Sequence, residues 1–249
     1  MPVRAVLWDL DDTLFDYTGS DRAGALRHFR AEGLLPAHGP AHGDEEALER
    51  WRAAMETEFA RFLAGEVGFL DHRRARARTF LGTPLLSDAD ADAWFGRYIA
   101  HYEASWVLFP DSAPVLEALA PLVRQAVLSN ASTANQERKL DVLGIRGAFE
   151  TVLCADELGY AKPATEAFHA ACKALGLTPG DVVYVGDKLD IDALGARDAG
   201  LTAVWLDRAG TGEEAGEELP PGVRRIAGLA ELPELLREVT GFGAPSTIR

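Results

Sequence analysis

Cysteine is nearly missing. Only Cys154 and Cys172 occur in 249 residues, too few for a disulfide framework, so the chain is expected to rely on its core and to keep reduced thiols in the cytoplasm. Both thiols are expected to lie buried as small apolar side chains. There is no apolar run long enough to span a bilayer and no charged-then-apolar leader, which argues against a membrane protein. Positive charge is scarce as well. With 25 Lys+Arg against 39 Asp+Glu the net charge is −14, which repels phosphate backbones and anionic membrane surfaces and makes nucleic acid a poor partner. The arginines between 73 and 78 fall on mixed helix faces and read as a solvated helix rather than a nucleic-acid patch. His28, His72 and His101 have no zinc-ligand spacing. No internal repeat or heptad run is visible, and a monomer or homodimer is expected.

What is present is an ordinary globular composition, 47% hydrophobic and 26% charged, on a chain of the length that suits a core with a smaller insert. Residues 3–8 (Val-Arg-Ala-Val-Leu-Trp) read as a short buried strand that runs into an acidic cluster. From about residue 20 to 103 apolar residues recur at helical spacing, interrupted by Pro, Gly and His at 36–43 and by Thr83-Pro84. Leu70, Ala77, Phe80 and Leu81 form an apolar stripe there, with Arg73 and Arg74 on the same face.

Beyond Phe109-Pro110-Asp111 the texture alternates: helix 113–119, strand 125–128, helix 135–143, a strand near 152–153, helix 165–175, strand 182–185, helix 190–199, strand 202–206 and a last helix near 229–239. Strict alternation predicts an α/β fold, a Rossmann-like parallel sheet with helices on both faces, carrying an inserted α-helical domain. Residues 1–16 and 108–249 are assigned to the core and 17–107 to the insert. The Gly-, Glu- and Pro-rich stretch 210–222 reads as an exposed loop and 241–249 as a frayed tail.

In such a sheet ligands sit at the carboxyl ends of the strands. The first strand ends in Asp9-Leu10-Asp11-Asp12-Thr13; residues two apart point the same way, so Asp9 and Asp11 can share a site, and paired carboxylates call for a shared proton or a cation, of which the cation is the simpler answer. The second ends in Ser129-Asn130, two neutral hydrogen-bonding groups suited to phosphate oxygens. Lys162-Pro163 precedes a helix and offers an ammonium. The strand 182–185 leads into Gly186-Asp187, Asp190 and Asp192; helix capping accounts for Asp190 or Asp192 but not for Asp187.

Asp-Leu-Asp-Asp-Thr-Leu, Leu-Ser-Asn, Lys-Pro and Gly-Asp-Lys-Leu-Asp-Ile-Asp, in this order from Asp9 to Asp192, resemble the haloacid dehalogenase-like superfamily. They are most similar to its phosphatase branch with a helical cap after the first strand. Residues 185–206 look similar to nucleotidases and N-acylneuraminate phosphatases. The resemblance implies a phosphomonoesterase for a small phosphorylated metabolite, of the nucleotide or sugar phosphate class. Asp9 would be the nucleophile and Asp11 the acid and base. Thr13 would orient Asp11, and Ser129, Asn130 and Lys162 would bind phosphate. Mg²⁺ would be held by Asp9, the Asp11 carbonyl, Asp187 and Asp192.

Asp11 favours phosphate esters over halides, since a departing halide needs no proton. Lys188 departs from the family's usual small hydroxyl residue and either pairs with Asp190 or Asp192 or touches substrate. Phe69, Arg73 and Arg74 in the insert are the other candidates for substrate contacts. A phosphomutase on the same fold is the enzymatic alternative. A receiver-like phosphate-accepting module is the non-enzymatic one, disfavoured because receivers carry their phosphorylated Asp on a later strand.

Overall fold

The structure, a computed structural model, describes residues 3–35, 43–214 and 218–240. The chain divides into two compact units, residues 1–16 with 107–249, and residues 17–106.

The first unit begins with β1 (Ala5–Trp8), buried at all four positions as a strand covered on both faces must be. The chain then enters the second unit, built from α1 (Tyr17–Ala31), α2 (Asp44–Leu63), α3 (Phe69–Leu81) and α4 (Asp88–Glu103). Helices α1 and α4 approach closely at Gly24, where a β-carbon would fall 2.5 Å from Tyr102 Cα. Helix α3 ends on Gly82 in the left-handed conformation (φ 64°), and Ser87 caps α4 by accepting from the Asp90 N–H at 3.1 Å. The core of this unit is aromatic: Phe29, Trp51, Phe80, Trp94 and Tyr98 are all buried, and Phe29 stacks on Phe80 at 4.5 Å. On α3 the stripe holds at Ala77 and Phe80, which are buried, but Leu70 is 55% exposed. The buried arginine of this helix is Arg76, whose guanidinium lies 3.5 Å from the Trp51 ring centroid.

The chain returns through α5 (Ser112–Leu119), β2 (Arg124–Ser129), α6 (Thr133–Val142), β3 (Thr151–Cys154), α7 (Ala155–Leu158), α8 (Thr165–Ala174) and β4 (Val182–Gly186). A π-turn at Leu189–Ala193 leads into α9 (Leu194–Asp198), followed by β5 (Thr202–Leu206), α10 (Thr211–Glu214), β6 (Val223–Ile226) and α11 (Leu232–Thr240). The six strands form one parallel sheet in the order β3-β2-β1-β4-β5-β6. Two halves therefore run outward from the centre, and the crevice between β1 and β4 at their carboxyl ends is where such a sheet binds ligands.

Several expectations change. Strand β6 was not foreseen, and α10 occupies part of the stretch read as a loop. The helix expected at 190–199 opens as a π-turn, without a side-chain cap from Asp190. The tail 241–249 and the break at 36–42 lie outside the described residues. Cys154 and Cys172 are free and buried, and among the described residues no helix is long and apolar enough to cross a membrane.

Candidate active site

The ends of strands β1, β2 and β4 of the first unit converge with the loop between α7 and α8, which carries Lys162. Strand β1 delivers Asp9, whose N–H still belongs to the sheet, donating to the Val185 carbonyl at 2.9 Å. The loop after it turns sharply at Asp12, a non-glycine residue at φ 60°.

Asp9 is 6% exposed, and its Oδ1 accepts from Lys162 Nζ at 2.6 Å. Lys162, 5% exposed, spends its three protons on Asp9, Asp192 Oδ1 at 2.7 Å and the Tyr184 hydroxyl at 2.7 Å. Burial would discharge an isolated lysine, but Asp9 and Asp192 hold its pKa above the ordinary value. Burial pushes the Asp9 carboxyl upward, against the Lys162 charge and with the Asp192 charge. Asp187 is pushed up to about 7, first by burial and then by the neighbouring Asp9 and Asp192.

One carboxylate oxygen from each of Asp9, Asp187 and Asp192 lies within 4.8 Å of the other two. Asp187 Oδ1 is buried with no hydrogen-bond partner among the described residues. Three hard oxygen donors, one of them unsatisfied, suit a divalent cation such as magnesium. The Asp187 carbonyl is fixed by the Trp205 indole N–H at 2.8 Å. Asp192 is held from three sides: by Lys162, by Tyr184 at 2.9 Å, and by the Lys188 N–H at 3.0 Å.

The remaining residues take places the motifs alone did not define. The Thr13 hydroxyl donates to Asp9 Oδ2 at 3.3 Å, so it orients Asp9 rather than Asp11. Asp11 is held instead by α6, with Lys139 on Oδ1 and Gln136 Nε2 at 2.8 Å on Oδ2. Asn130 uses both ends of its amide on the Lys162 backbone, donating to the carbonyl at 2.9 Å and accepting from the N–H at 2.8 Å. It braces the backbone of the lysine, with one amide N–H left over. Ser129 is 3% exposed at the end of β2.

Lys188 is exposed and forms no ion pair with Asp190 or Asp192 among the described residues. In the second unit Arg74 is taken up by Asp88 at 3.1 Å and Asp92 at 2.7 Å, while the Arg73 guanidinium lies over the rings of Phe69 and Phe95. Sequence reasoning passed over Gln136, Lys139, Tyr184 and Trp205. It also missed Arg208, which grips Asp111 with two bonds of 3.0 and 2.8 Å and the Thr13 carbonyl at 3.0 Å.

Residues 3–200 match the family model of haloacid dehalogenase-like hydrolases, and the chain belongs to this family. Among curated proteins it is 31% identical to a phosphoserine phosphatase of Thermus thermophilus, over 92% of this chain and 99% of the relative. It is 28% identical to the human N-acylneuraminate-9-phosphatase, over 95% of each chain. Among solved structures it is similar in fold to the HAD-hydrolase YfnB from Bacillus subtilis, solved bound to magnesium. That match has a TM-score of 0.74 and 18% identity, and covers 95% of this chain and 100% of the other.

Proposed function

We propose that the protein is a magnesium-dependent phosphomonoesterase acting in the cytoplasm on a small phosphorylated metabolite, of the nucleotide or sugar phosphate class. The observation that carries this reading is the position of Asp9, bonded to Lys162 and within 4.8 Å of the Asp187 and Asp192 carboxylates. A nucleophile, a buried cation and an acidic cradle meet at one point.

In this reading Asp9, Asp187 and the Asp11 carbonyl hold the metal, with Asp192 adding charge to the cradle. When bound, Mg²⁺ neutralises charge on the phosphoryl oxygens as they become crowded in the transition state. The Asp9 carboxylate attacks phosphorus, the bond from phosphorus to the ester oxygen breaks, and Asp11 delivers a proton to that oxygen. Asp11, now a carboxylate, takes a proton from water, whose oxygen attacks the aspartyl phosphate and frees Asp9 and inorganic phosphate. Ser129 holds a phosphoryl oxygen throughout, Lys162 exchanges its bond to Asp9 for one to a phosphoryl oxygen as Asp9 becomes esterified, and Asn130 keeps the Lys162 backbone in place.

The helical unit serves in this reading as a cap that excludes water and selects the substrate. Phe69, 57% exposed, and Arg73 stacked on it are its contact residues, with Arg74 bracing the same helix. Lys188 adds an exposed cation beside the acidic cradle.

Hydrolysis of p-nitrophenyl phosphate with Mg²⁺ tests the chemistry. The wild type should turn over, and Asp9→Asn should lose at least ~10³-fold in kcat, the scale of removing a covalent nucleophile. An inactive wild type, or a variant equal to it, overturns the proposal. A screen of nucleotide and sugar monophosphates then identifies the substrate.

A further inference from the structure

Gln136 is fully buried on α6, and its side-chain nitrogen stands between two site residues, 2.8 Å from Asp11 Oδ2 and 2.8 Å from Ser129 Oγ. Lys139, one turn further along the same helix, takes the other Asp11 oxygen. Two donors on one helix face thus hold both oxygens of one carboxylate. A carboxylate accepts hydrogen bonds, so the Gln136 amide must turn its nitrogen toward Asp11. The same nitrogen then faces Ser129, and Ser129 must accept from it. Consistent with this, Gln136 Oε1 is buried without a partner among the described residues; the amide is committed to its donors.

Ser129 Oγ also accepts from the Ala131 N–H at 3.2 Å. A hydroxyl offers two lone pairs and one proton. Both lone pairs here are filled by groups that can only donate, which leaves the proton as the one function Ser129 has to offer.

We infer that Gln136 is a positioning residue that makes Ser129 an obligatory hydrogen-bond donor to a phosphoryl oxygen. The inference rests on the phosphatase reading above in taking Ser129 as a phosphate ligand. An uncommitted serine hydroxyl can rotate and meet an anion with a lone pair, whereas this one is set in advance, and a donor set in advance needs no reorganisation when phosphate arrives. Through the same amide the phosphate grip is joined to Asp11.

The test is a double-mutant cycle read by calorimetric binding of inorganic phosphate to the Mg²⁺-loaded protein. Gln136→Met keeps the length of the side chain and removes the donor. It and Ser129→Ala should each weaken phosphate by about 10-fold, the effect of roughly one lost oriented hydrogen bond. The double variant should stay within about 3-fold of Ser129→Ala, because without the hydroxyl there is nothing left to orient. Gln136→Glu, whose carboxylate accepts the Ser129 proton and turns it away, should bind phosphate more weakly than Gln136→Met. If Gln136→Met does not fold by circular dichroism, Gln136→Glu and Gln136→Asn carry the same cycle.

Wild-type affinity in the Gln136 variants, or losses that multiply in full with Ser129→Ala, overturn the inference. A wild type that binds phosphate but does not hydrolyse p-nitrophenyl phosphate overturns the phosphatase reading alone, and the cycle still decides the role of Gln136. A wild type that does neither overturns both.

Discussion

Asp187 has a buried oxygen without a hydrogen-bond donor among the described residues, and burial, together with its acidic neighbours Asp9 and Asp192, favours the protonated carboxyl when no metal is bound. Its folded pKa of about 7 stands above the ordinary carboxylate value of 3.8, and Asp9 is shifted in the same direction. Between those two values the folded state binds protons that the unfolded chain has released. Metal-free stability from these groups is therefore fullest below about pH 4 and falls as pH rises toward 7. A cation that takes the place of the proton reverses the loss. Magnesium binding should release about one proton near pH 6.5 and almost none at pH 8.5, and its affinity should weaken on acidification. Calorimetry in two buffers of different ionisation enthalpy measures this directly; heats that do not depend on the buffer at pH 6.5 would contradict it. At this scale Asp9 and Asp187 are legible in the sequence because each stands at the end of an apolar strand run, whereas Lys162, between two helices, stands out only through the order of the motifs around it. The partner of Thr13 is not legible. Which carboxylate it meets depends on the left-handed turn at Asp12, and nothing local in Asp-Asp-Thr specifies that turn.

At the scale of elements, the end of β4 and the π-turn after it form one device. The Asp192 and Ala193 N–H groups both donate to the Lys188 carbonyl, at 2.8 and 3.3 Å, and this wider turn brings Asp192 back over the strand it follows. The return is possible only because residue 186 is glycine. A β-carbon there would lie 2.5 Å from both Cβ and Cγ of Asp192, parts of that side chain too close to the backbone to swing aside. Gly186→Ala should displace Asp192, loosen Lys162 and raise the Mg²⁺ concentration needed for half-maximal activity, with a loss of about 10²-fold in kcat/KM and a stability cost of about 1–3 kcal/mol. A magnesium titration of activity beside a thermal melt checks it. An unchanged titration would show that Asp192 is not set by this approach. The strand itself was legible, since Val-Val-Tyr-Val is apolar at every step. The π-turn was not, because what draws Asp192 inward is Lys162 and Tyr184, which come from elsewhere in the chain. Helix α6 misled for a related reason: Gln136 and Lys139 are polar and buried, and reading helix faces by apolar spacing assigns such residues to water. Strand β6 escaped because Val-Arg-Arg-Ile neither alternates nor runs apolar, as an edge strand paired on one side only is free to do.

The whole molecule joins two units whose buried ionisable groups respond to pH in opposite senses. In the helical unit His28 is fully buried, 4.3 Å from the Trp94 ring, with neither ring nitrogen hydrogen-bonded among the described residues. Burial pushes its pKa down to about 4 from 6.5; Glu32, 4.0 Å away, opposes this, and His101 and Arg97 reinforce it. The folded state thus binds fewer protons than the unfolded chain between those values. Its stability rises with pH across that window and is lost as pH falls through it, by an amount on the order of 3 kcal/mol. The sheet unit without metal runs the other way over pH 4 to 7. Hydrogen exchange, corrected for intrinsic rates, should show protection within residues 17–106 declining from pH 7 to 4.5. Protection at the ends of β1 and β4 should rise over the same range, and Mg²⁺ at pH 7.5 should protect only the sheet unit. His28→Leu, which removes the titrating group but keeps the site apolar, should flatten the acid decline of the helical unit and leave the sheet unit's slope as it was. If the protection of both units moves together with a single pH optimum, or if His28→Leu changes neither slope, the two units do not titrate as separate bodies and the opposition argued from Asp187 and His28 fails.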